Sequence, residues 1–188
     1  LFGQTLSEIQ SIVAELGLKP YVAKQLTEWL YQKHARSFAE MTNLSLSVKQ
    51  ILDEKFRLGK SEPSRVQASS DGTKKYLFPA GSRGFIEAAY IPDEDRATLC
   101  VSSQVGCKMG CLFCMTGKQG FQAQLSAGEI LNQISSLPER ENLTNIVYMG
   151  MGEPLDNLLQ VMKSLEILSA DWGYGMSPRR ITVSTIGL

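Results

Sequence analysis

The 188-residue sequence lacks the features of a membrane protein, a disulfide-rich secreted protein and a highly charged protein. Its apolar runs are far shorter than the roughly 20 residues that a helix needs to cross a bilayer. No signal-peptide pattern opens the chain. The 19 basic residues balance the 19 acidic ones, so bulk charge does not indicate nucleic-acid binding, which would need a local basic patch.

Cysteine and histidine are scarce. Only 4 cysteines occur, and three of them lie close together, whereas a secreted disulfide framework spreads its cysteines along the chain. A reduced, cytosolic setting suits this pattern better. The single histidine, His34, lies beside Lys33 and Arg36 after a predicted helix. We expect it to be a solvated side chain at the helix C-terminus, where a partial positive charge is favourable.

The composition, with 43% hydrophobic and 8% aromatic residues, is ordinary for a chain with a hydrophobic core. The length allows one domain or two small ones. The chain begins at Leu1 without a methionine and stops directly after an apolar, strand-like run. We therefore expect it to be part of a longer protein.

Residues 1–60 predict a small helical domain. Thr5 and Glu8 form a capping-box pattern that opens the first helix. Apolar residues at helical spacing predict two more helices, near 22–34 and 47–56. Short strand patterns separated by Gly-containing turns then follow, so residues 61–94 are predicted to be a β-hairpin linker.

Residues 95–188 alternate strand and helix patterns. Strands are predicted near 97–103, 145–149 and 181–185, and the helix between the first two is opened by a second capping box at Ser126. This order implies parallel strands joined by right-handed crossovers. Barrels and open α/β sheets both place their chemistry at the carboxyl ends of such strands.

A three-cysteine loop follows the first of these strands, with Cys107, Cys111 and Cys114 at Cys-x3-Cys-x2-Cys spacing. Structural zinc normally takes four protein ligands, so three cysteines leave one position open. That number fits an iron–sulfur cluster in which one iron has no cysteine. The alternatives are a zinc knuckle completed by Cys100 or His34, and three unrelated buried thiols.

A glycine-rich segment, Gly150-Met-Gly-Glu-Pro154, directly follows the second strand. Glycine lets backbone approach a ligand closely, and free carbonyls at a strand end can accept hydrogen bonds from an ammonium group. Gly152 and Glu153 are the candidates for that role, and the alternative is a plain tight turn. Ser184 ends the third strand and could donate or accept at the same edge.

Taken together, these motifs resemble the radical S-adenosylmethionine (SAM) enzymes, and more closely the RlmN branch of the RlmN/Cfr family of RNA methyltransferases. The resemblance covers nearly the whole chain and is densest between Ile91 and Phe121. It rests on four segments, which are residues 95–107, 117–121, 149–154 and 179–185.

The resemblance implies an α/β fold, namely the first half of a radical SAM partial (βα)6 barrel preceded by the small helical domain and the β-hairpin linker. It also implies two cofactors. A [4Fe-4S] cluster would be held by the three loop cysteines, and SAM would be contacted by Gly152, Glu153 and Ser184.

The resemblance further implies methylation of carbon 2 of an adenosine in 23S rRNA and in tRNA, through a methyl-cysteine intermediate. An electron donor such as flavodoxin would be a further partner. In the family the methyl-carrying cysteine lies far toward the C-terminus, beyond the end of this sequence. The chain alone is therefore expected to be inactive.

Two more residues match family roles. Cys100 matches the cysteine that resolves the protein–RNA adduct, and Glu87 matches the proposed base that removes the proton from carbon 2. Without the resemblance, Cys100 would be interpreted as a small buried strand residue, and Glu87 as the solvent-facing residue of an alternating strand. The alternative functions are a Cfr-like carbon-8 methyltransferase and a non-catalytic, metal-stabilised RNA-binding module.

Overall fold

A six-stranded mixed sheet forms the centre of the computed structural model, which describes residues 1–187. The strands, in chain order, are β1 (Arg65–Ala68), β2 (Lys74–Pro79), β3 (Phe85–Asp93), β4 (Arg96–Cys100), β5 (Gln104–Val105), β6 (Ala123–Gln124), β7 (Asn145–Tyr148) and β8 (Ile181–Val183). The large sheet has the order β1-β2-β3-β4-β7-β8, and β5 and β6 form a separate two-stranded ribbon.

Strands β4, β7 and β8 are parallel, as the alternating pattern predicts. Cys100 pairs with Val147, and Tyr148 pairs with Val183. The carboxyl ends of these three strands therefore meet at one edge of the sheet. The cysteine loop, the glycine-rich segment and Ser184 all leave from that edge.

Strands β1 to β3 continue the same sheet by antiparallel pairing, because β3 pairs with β4 and places Ala89 opposite Cys100. The predicted linker therefore belongs to the same sheet as the parallel strands. This contact carries residues of β3 to the edge where the candidate site lies. The division into three domains stays a prediction.

Within residues 1–187, six α-helices flank the strands. They are α1 (Leu6–Glu15), α2 (Tyr21–Thr27), α3 (Leu46–Lys55), α4 (Met115–Gln119), α5 (Ala127–Ser135) and α6 (Leu158–Ser169). Short 3-10 turns lie at Phe38–Glu40, Gly81–Arg83, Arg140–Asn142, Pro154–Asn157 and Pro178–Arg180. Both predicted capping boxes are present, at Thr5 with Glu8 and at Ser126 with Glu129. None of the helices within residues 1–187 combines the length and the apolar character needed to span a membrane.

The second predicted helix is shorter than expected. Its α-helical part ends at Thr27 and continues as a π-helical turn over Glu28–Gln32. The Thr27 hydroxyl donates to the Lys24 carbonyl at 3.0 Å, a local bond that competes with regular helix geometry. The π turn carries Leu30 and Tyr31 into the core, where both are fully buried.

One continuous core joins the helical segment to the sheet. Tyr31 is its aromatic centre on the helical side. Its ring lies 5.5 Å from that of Phe2, and 6.0 Å from those of Trp172 and Tyr174. On the sheet side, Leu99 of β4 and Ile146 and Tyr148 of β7 are also buried. The helical segment is therefore packed onto the sheet rather than tethered to it.

The prediction that His34 is a solvated cap is wrong. Its ring lies 5.5 Å from the Tyr174 ring, and its Nδ1 is buried without a hydrogen-bond partner in residues 1–187. Burial, followed by the nearby Lys60 and Arg140 charges, lowers the pKa of His34 to about 4. The residue is a neutral packing group at neutral pH. The contacts that bury it come from residues distant in sequence.

Candidate active site

A cavity of about 270 Å³ opens at the carboxyl ends of β4 and β7. It brings together three of the predicted site residues, namely Glu87, Cys100 and Cys114. Its other lining residues are Lys75, Ala88, Ala89, Thr116, Met149, Gly150 and Met151. The base candidate, the resolving-cysteine candidate and one cluster cysteine thus face one space, beside the glycine-rich segment.

Glu87 projects from β3 and forms an ion pair with Lys75 of β2, with Nζ and Oε1 3.1 Å apart. Both side chains are about half exposed, so the pair contributes little to stability. The ion pair instead orients the Glu87 carboxylate at the cavity. Sequence reasoning missed Lys75, which the strand register reveals: Leu77 is opposite Glu87, and Lys75 lies two residues along the same face.

Cys100 is a half-buried thiol at the end of β4. Burial raises its pKa more than the hydrogen bond from the Met149 backbone lowers it. The side chain is therefore a protonated thiol at neutral pH. Because the thiolate is the nucleophilic form, any attack by Cys100 requires a group that removes its proton.

The cysteine loop carries thiols of differing exposure: Cys107 is buried, and Cys111 and Cys114 are half-buried. The Gly117 backbone N–H lowers the pKa of Cys114, and the Met109 N–H donates to Cys107 Sγ at 3.4 Å. The lowered pKa of Cys114 favours its thiolate, which is the metal-binding form.

The chemistry of this donor set therefore fits an iron–sulfur cluster. The arrangement of the side chains matches a metal site less well than their chemistry does. Within residues 1–187, no group of three or more histidine, cysteine or acidic side chains is arranged to hold a metal ion. The tip of the loop points into solvent, since Leu112 is 91% exposed and Phe113 is 92% exposed.

A polar network anchors the base of the cysteine loop. Lys108 Nζ donates to Asp156 Oδ1 at 3.0 Å and lies 4.6 Å from the centre of the Phe121 ring. Gln104, fully buried in β5, donates to Asp156 Oδ2 at 2.6 Å and to Gln124 Oε1 at 2.8 Å. The network joins the loop to the turn that follows the glycine-rich segment, and sequence reasoning missed it.

The glycine-rich segment needs both of its glycines for steric reasons. A Cβ at Gly150 would lie 2.7 Å from Ser102 Oγ. Gly152 has φ +100°, and a Cβ there would lie 2.5 Å from the Gln104 Cβ. The Met151 carbonyl accepts from the backbone of β5 at 3.1 Å. The carbonyls of the two glycines accept no hydrogen bond from residues 1–187, so they are available to a ligand.

Ser102 links the two walls of the cavity. Its hydroxyl donates to the Glu87 carbonyl at 2.6 Å and accepts from the Met151 N–H at 2.9 Å. The side chain of Gln133, fully buried in α5, holds the Ser102 backbone through bonds of 2.8 Å and 2.9 Å. Sequence reasoning missed both residues, because nothing in their local pattern separates them from other polar residues.

Glu153 is only 3% exposed. Its Oε1 accepts from the Thr185 hydroxyl at 2.5 Å and from the Leu155 N–H at 3.0 Å, and its Oε2 accepts from the Ile186 N–H at 3.1 Å. Burial alone would raise the pKa of Glu153, but these hydrogen bonds outweigh it and lower the pKa. Glu153 is therefore an ionised, enclosed carboxylate.

Ser184 lies at the same edge but does not line the cavity. Its N–H donates to the Tyr148 carbonyl at 3.3 Å, and its side chain is exposed. Three of the predicted site residues therefore line the cavity, namely Glu87, Cys100 and Cys114. The other five do not line it, and these are Cys107, Cys111, Gly152, Glu153 and Ser184.

Comparison with known proteins gives two family matches. Residues 1–58 match the ribosomal RNA large subunit methyltransferase N-terminal domain, and residues 101–188 match the radical SAM superfamily. The second match contains all three loop cysteines, the glycine-rich segment and Ser184.

Two relatives illustrate the likeness in sequence. A probable dual-specificity RNA methyltransferase RlmN of Phocaeicola vulgatus is 63% identical over 188 residues, which is 100% of this chain and 54% of that protein. A dual-specificity RNA methyltransferase RlmN of Geotalea uraniireducens is 48% identical over 184 residues, covering 98% of this chain and 54% of that protein. The chain spans about half the length of the curated relatives it matches.

The fold has a solved counterpart. A radical SAM methyltransferase from Sphaerobacter thermophilus superposes with a TM-score of 0.91 at 39% identity, covering 100% of this chain and 57% of that one. This match confirms the predicted α/β fold class and its relation to the radical SAM barrel.

Proposed function

Because this chain belongs to the RlmN family of radical SAM methyltransferases, we propose that the protein methylates carbon 2 of an adenosine in 23S rRNA and in tRNA. The observation that carries the proposal is the 270 Å³ cavity that joins Glu87, Cys100 and Cys114 beside the glycine-rich segment. A zinc-stabilised structural module has no need of a base candidate and a separate fourth cysteine facing the same space.

In this proposal Cys107, Cys111 and Cys114 hold a [4Fe-4S] cluster, and Gly152 and Ser184 contact SAM at the edge of the sheet to which Glu153 also belongs. The two cofactors together supply one-electron chemistry and a methyl group. The available carbonyls of the glycine-rich segment suit the ammonium group of SAM.

Residues of this chain would transfer the protons and resolve the protein–RNA adduct. Glu87, oriented by Lys75, takes the proton from carbon 2 of the adenine. Cys100 holds its proton because burial raises its pKa, so it stays unreactive until a base removes that proton. Its thiolate then forms a disulfide with the methyl-carrying cysteine, which lies in the family's C-terminal half. The bond between that cysteine's sulfur and the methylene carbon on adenine breaks in the same step. Its electron pair stays on the carbon, which takes up a proton and becomes the methyl group, so the oxidation of the two sulfurs to a disulfide is balanced by the reduction of this carbon.

The partners in this proposal are 23S rRNA, tRNA and a one-electron donor such as flavodoxin, in the cytoplasm. The helical segment would contact RNA, consistent with its match to the N-terminal domain of ribosomal RNA methyltransferases. No membrane is involved.

Mass-spectrometric mapping of the methyl group tests the proposal. The full-length protein, reconstituted anaerobically, is incubated with SAM, a reductant and either 23S rRNA or tRNA. We expect 2-methyladenosine in both RNAs, its loss in Glu87→Gln, and retention in Glu94→Gln, a matched change at an exposed turn. A methyl group on carbon 8 would indicate the Cfr-like reaction instead, and no methyl group in any RNA would refute the enzyme assignment.

A further inference from the structure

The side chain of Glu153 is enclosed by the protein itself. A carboxylate offers about four acceptor positions, and three are already used, by the Thr185 hydroxyl and by the N–H groups of Leu155 and Ile186. With 3% exposure, little of the group remains for an outside ligand. Its backbone N–H is also occupied, donating to Gln104 Oε1 at 2.8 Å.

These bonds join two separate parts of the site. Leu155 follows the glycine-rich segment after β7, whereas Thr185 and Ile186 follow β8. Beyond the last β7–β8 pair, Tyr148 with Val183, the strand ends are linked by the Ser184 N–H to Tyr148 carbonyl bond at 3.3 Å. The Glu153 carboxylate is therefore the main connection between the two segments past the end of the sheet.

We propose that Glu153 is a positioning residue, whose carboxylate fixes the end of β8 against the glycine-rich segment and does not itself contact SAM. The inference rests on the proposed function only for the identity of the ligand. Thr185 becomes the second member of the contact, which we call the Glu153–Thr185 latch. The latch holds Ser184 at a set distance from the carbonyls of Gly150 and Gly152.

The low pKa of Glu153 supports this arrangement. Burial raises the pKa, and the hydrogen bonds from Thr185, Leu155 and Ile186 lower it below the usual value. The carboxylate is thus ionised without a bound cation. A group that waited for the SAM ammonium as its partner would not already be satisfied by three donors from the chain.

Variants of Thr185 separate positioning from direct binding, because they leave Glu153 in place. Thr185→Val removes the hydroxyl but keeps the branched shape, and Thr185→Ser keeps the hydroxyl. Glu153→Gln removes the charge and replaces one acceptor oxygen with a donor. The measurements are amide hydrogen exchange at Ile186 and Leu155 in the cofactor-free chain, and SAM affinity by calorimetry after cluster reconstitution.

We expect Thr185→Val and Glu153→Gln each to speed exchange at Ile186 about tenfold or more, the size expected for one lost hydrogen bond to a charged group. Each should weaken SAM binding to a similar degree, and Thr185→Ser should match the parent. The double variant should be no worse than Glu153→Gln, because both changes break the same contact.

The opposite pattern would overturn the inference. If Thr185→Val leaves exchange and SAM affinity unchanged while Glu153→Gln abolishes SAM binding, the carboxylate is a direct ligand. If the parent protein binds no SAM, the proposed function fails. Hydrogen exchange at Ile186 still decides then whether the latch exists, and unchanged exchange in both variants would refute it.

Discussion

His34, the single histidine of the sequence, offers a direct test of how the helical segment packs on the sheet. It adopts φ 55° and packs on Tyr174, a residue of the segment between α6 and β8. Burial lowers its pKa from 6.5 to about 4, helped by the charges of Lys60 and Arg140 and opposed by Glu141. Protonation of His34 should therefore weaken this packing.

The sign and size follow from linkage. The unfolded chain takes up a proton near pH 6.5, whereas the folded chain does so only near pH 4, so stability falls as the pH drops through this window and is fully present above it. The whole shift corresponds to about 3 kcal/mol. Because the ring is partly exposed, we discount the effect between pH 7 and pH 5 to about 1–2 kcal/mol.

The assay is the pH titration of the imidazole signal by NMR, which one histidine makes unambiguous, together with urea unfolding at both pH values. The control is His34→Asn, since asparagine tolerates a left-handed backbone and does not titrate. Between pH 7 and pH 5, the free energy of unfolding of this variant should fall by about 1–2 kcal/mol less than that of the parent protein. An imidazole midpoint at or above 6.5, or an identical pH dependence in the variant, would refute the reasoning.

Three further predictions concern the candidate site. Gly152→Ala should lower the free energy of unfolding by about 2 kcal/mol or more, because its Cβ has no space and its φ is left-handed. The matched Gly59→Ala also has a positive φ but meets no atom within 4 Å, so it should cost only about 1 kcal/mol; equal losses in urea unfolding would contradict this. Ser102→Ala should cost about 1–3 kcal/mol, since it removes a buried hydroxyl with two partners, and a loss within error by the same method would count against the link between the cavity walls. Lys108→Met should leave stability within about 1 kcal/mol yet speed amide exchange across residues 107–114, because the Asp156 contact is lost; unchanged exchange would show that the contact does not anchor the loop.

Local signals in the sequence predicted the local structure well. Thr5 with Glu8 and Ser126 with Glu129 form capping boxes, because the residues that make a helix start lie within one turn of it. Gly152 shows the same rule for a turn, since its left-handed φ requires glycine. The parallel order of β4, β7 and β8 also followed from the alternating pattern.

Contacts between distant residues could not be predicted in the same way. The burial of His34 depends on Tyr174, 140 positions later, and no local pattern signals such a contact. Lys75 could be paired with Glu87 only once the strand register was known. The Glu153 contacts with the end of β8 likewise exist only after three parallel strands bring their ends together.

In the proposed function, Cys107, Cys111 and Cys114 would hold an iron–sulfur cluster that interacts with SAM. Anaerobic reconstitution with iron and sulfide, followed by metal analysis and EPR of the reduced protein with and without SAM, tests it most directly. We predict about four irons per chain and an EPR signal that changes when SAM is added. Stoichiometric zinc, or a signal that SAM leaves unchanged, would contradict the claim.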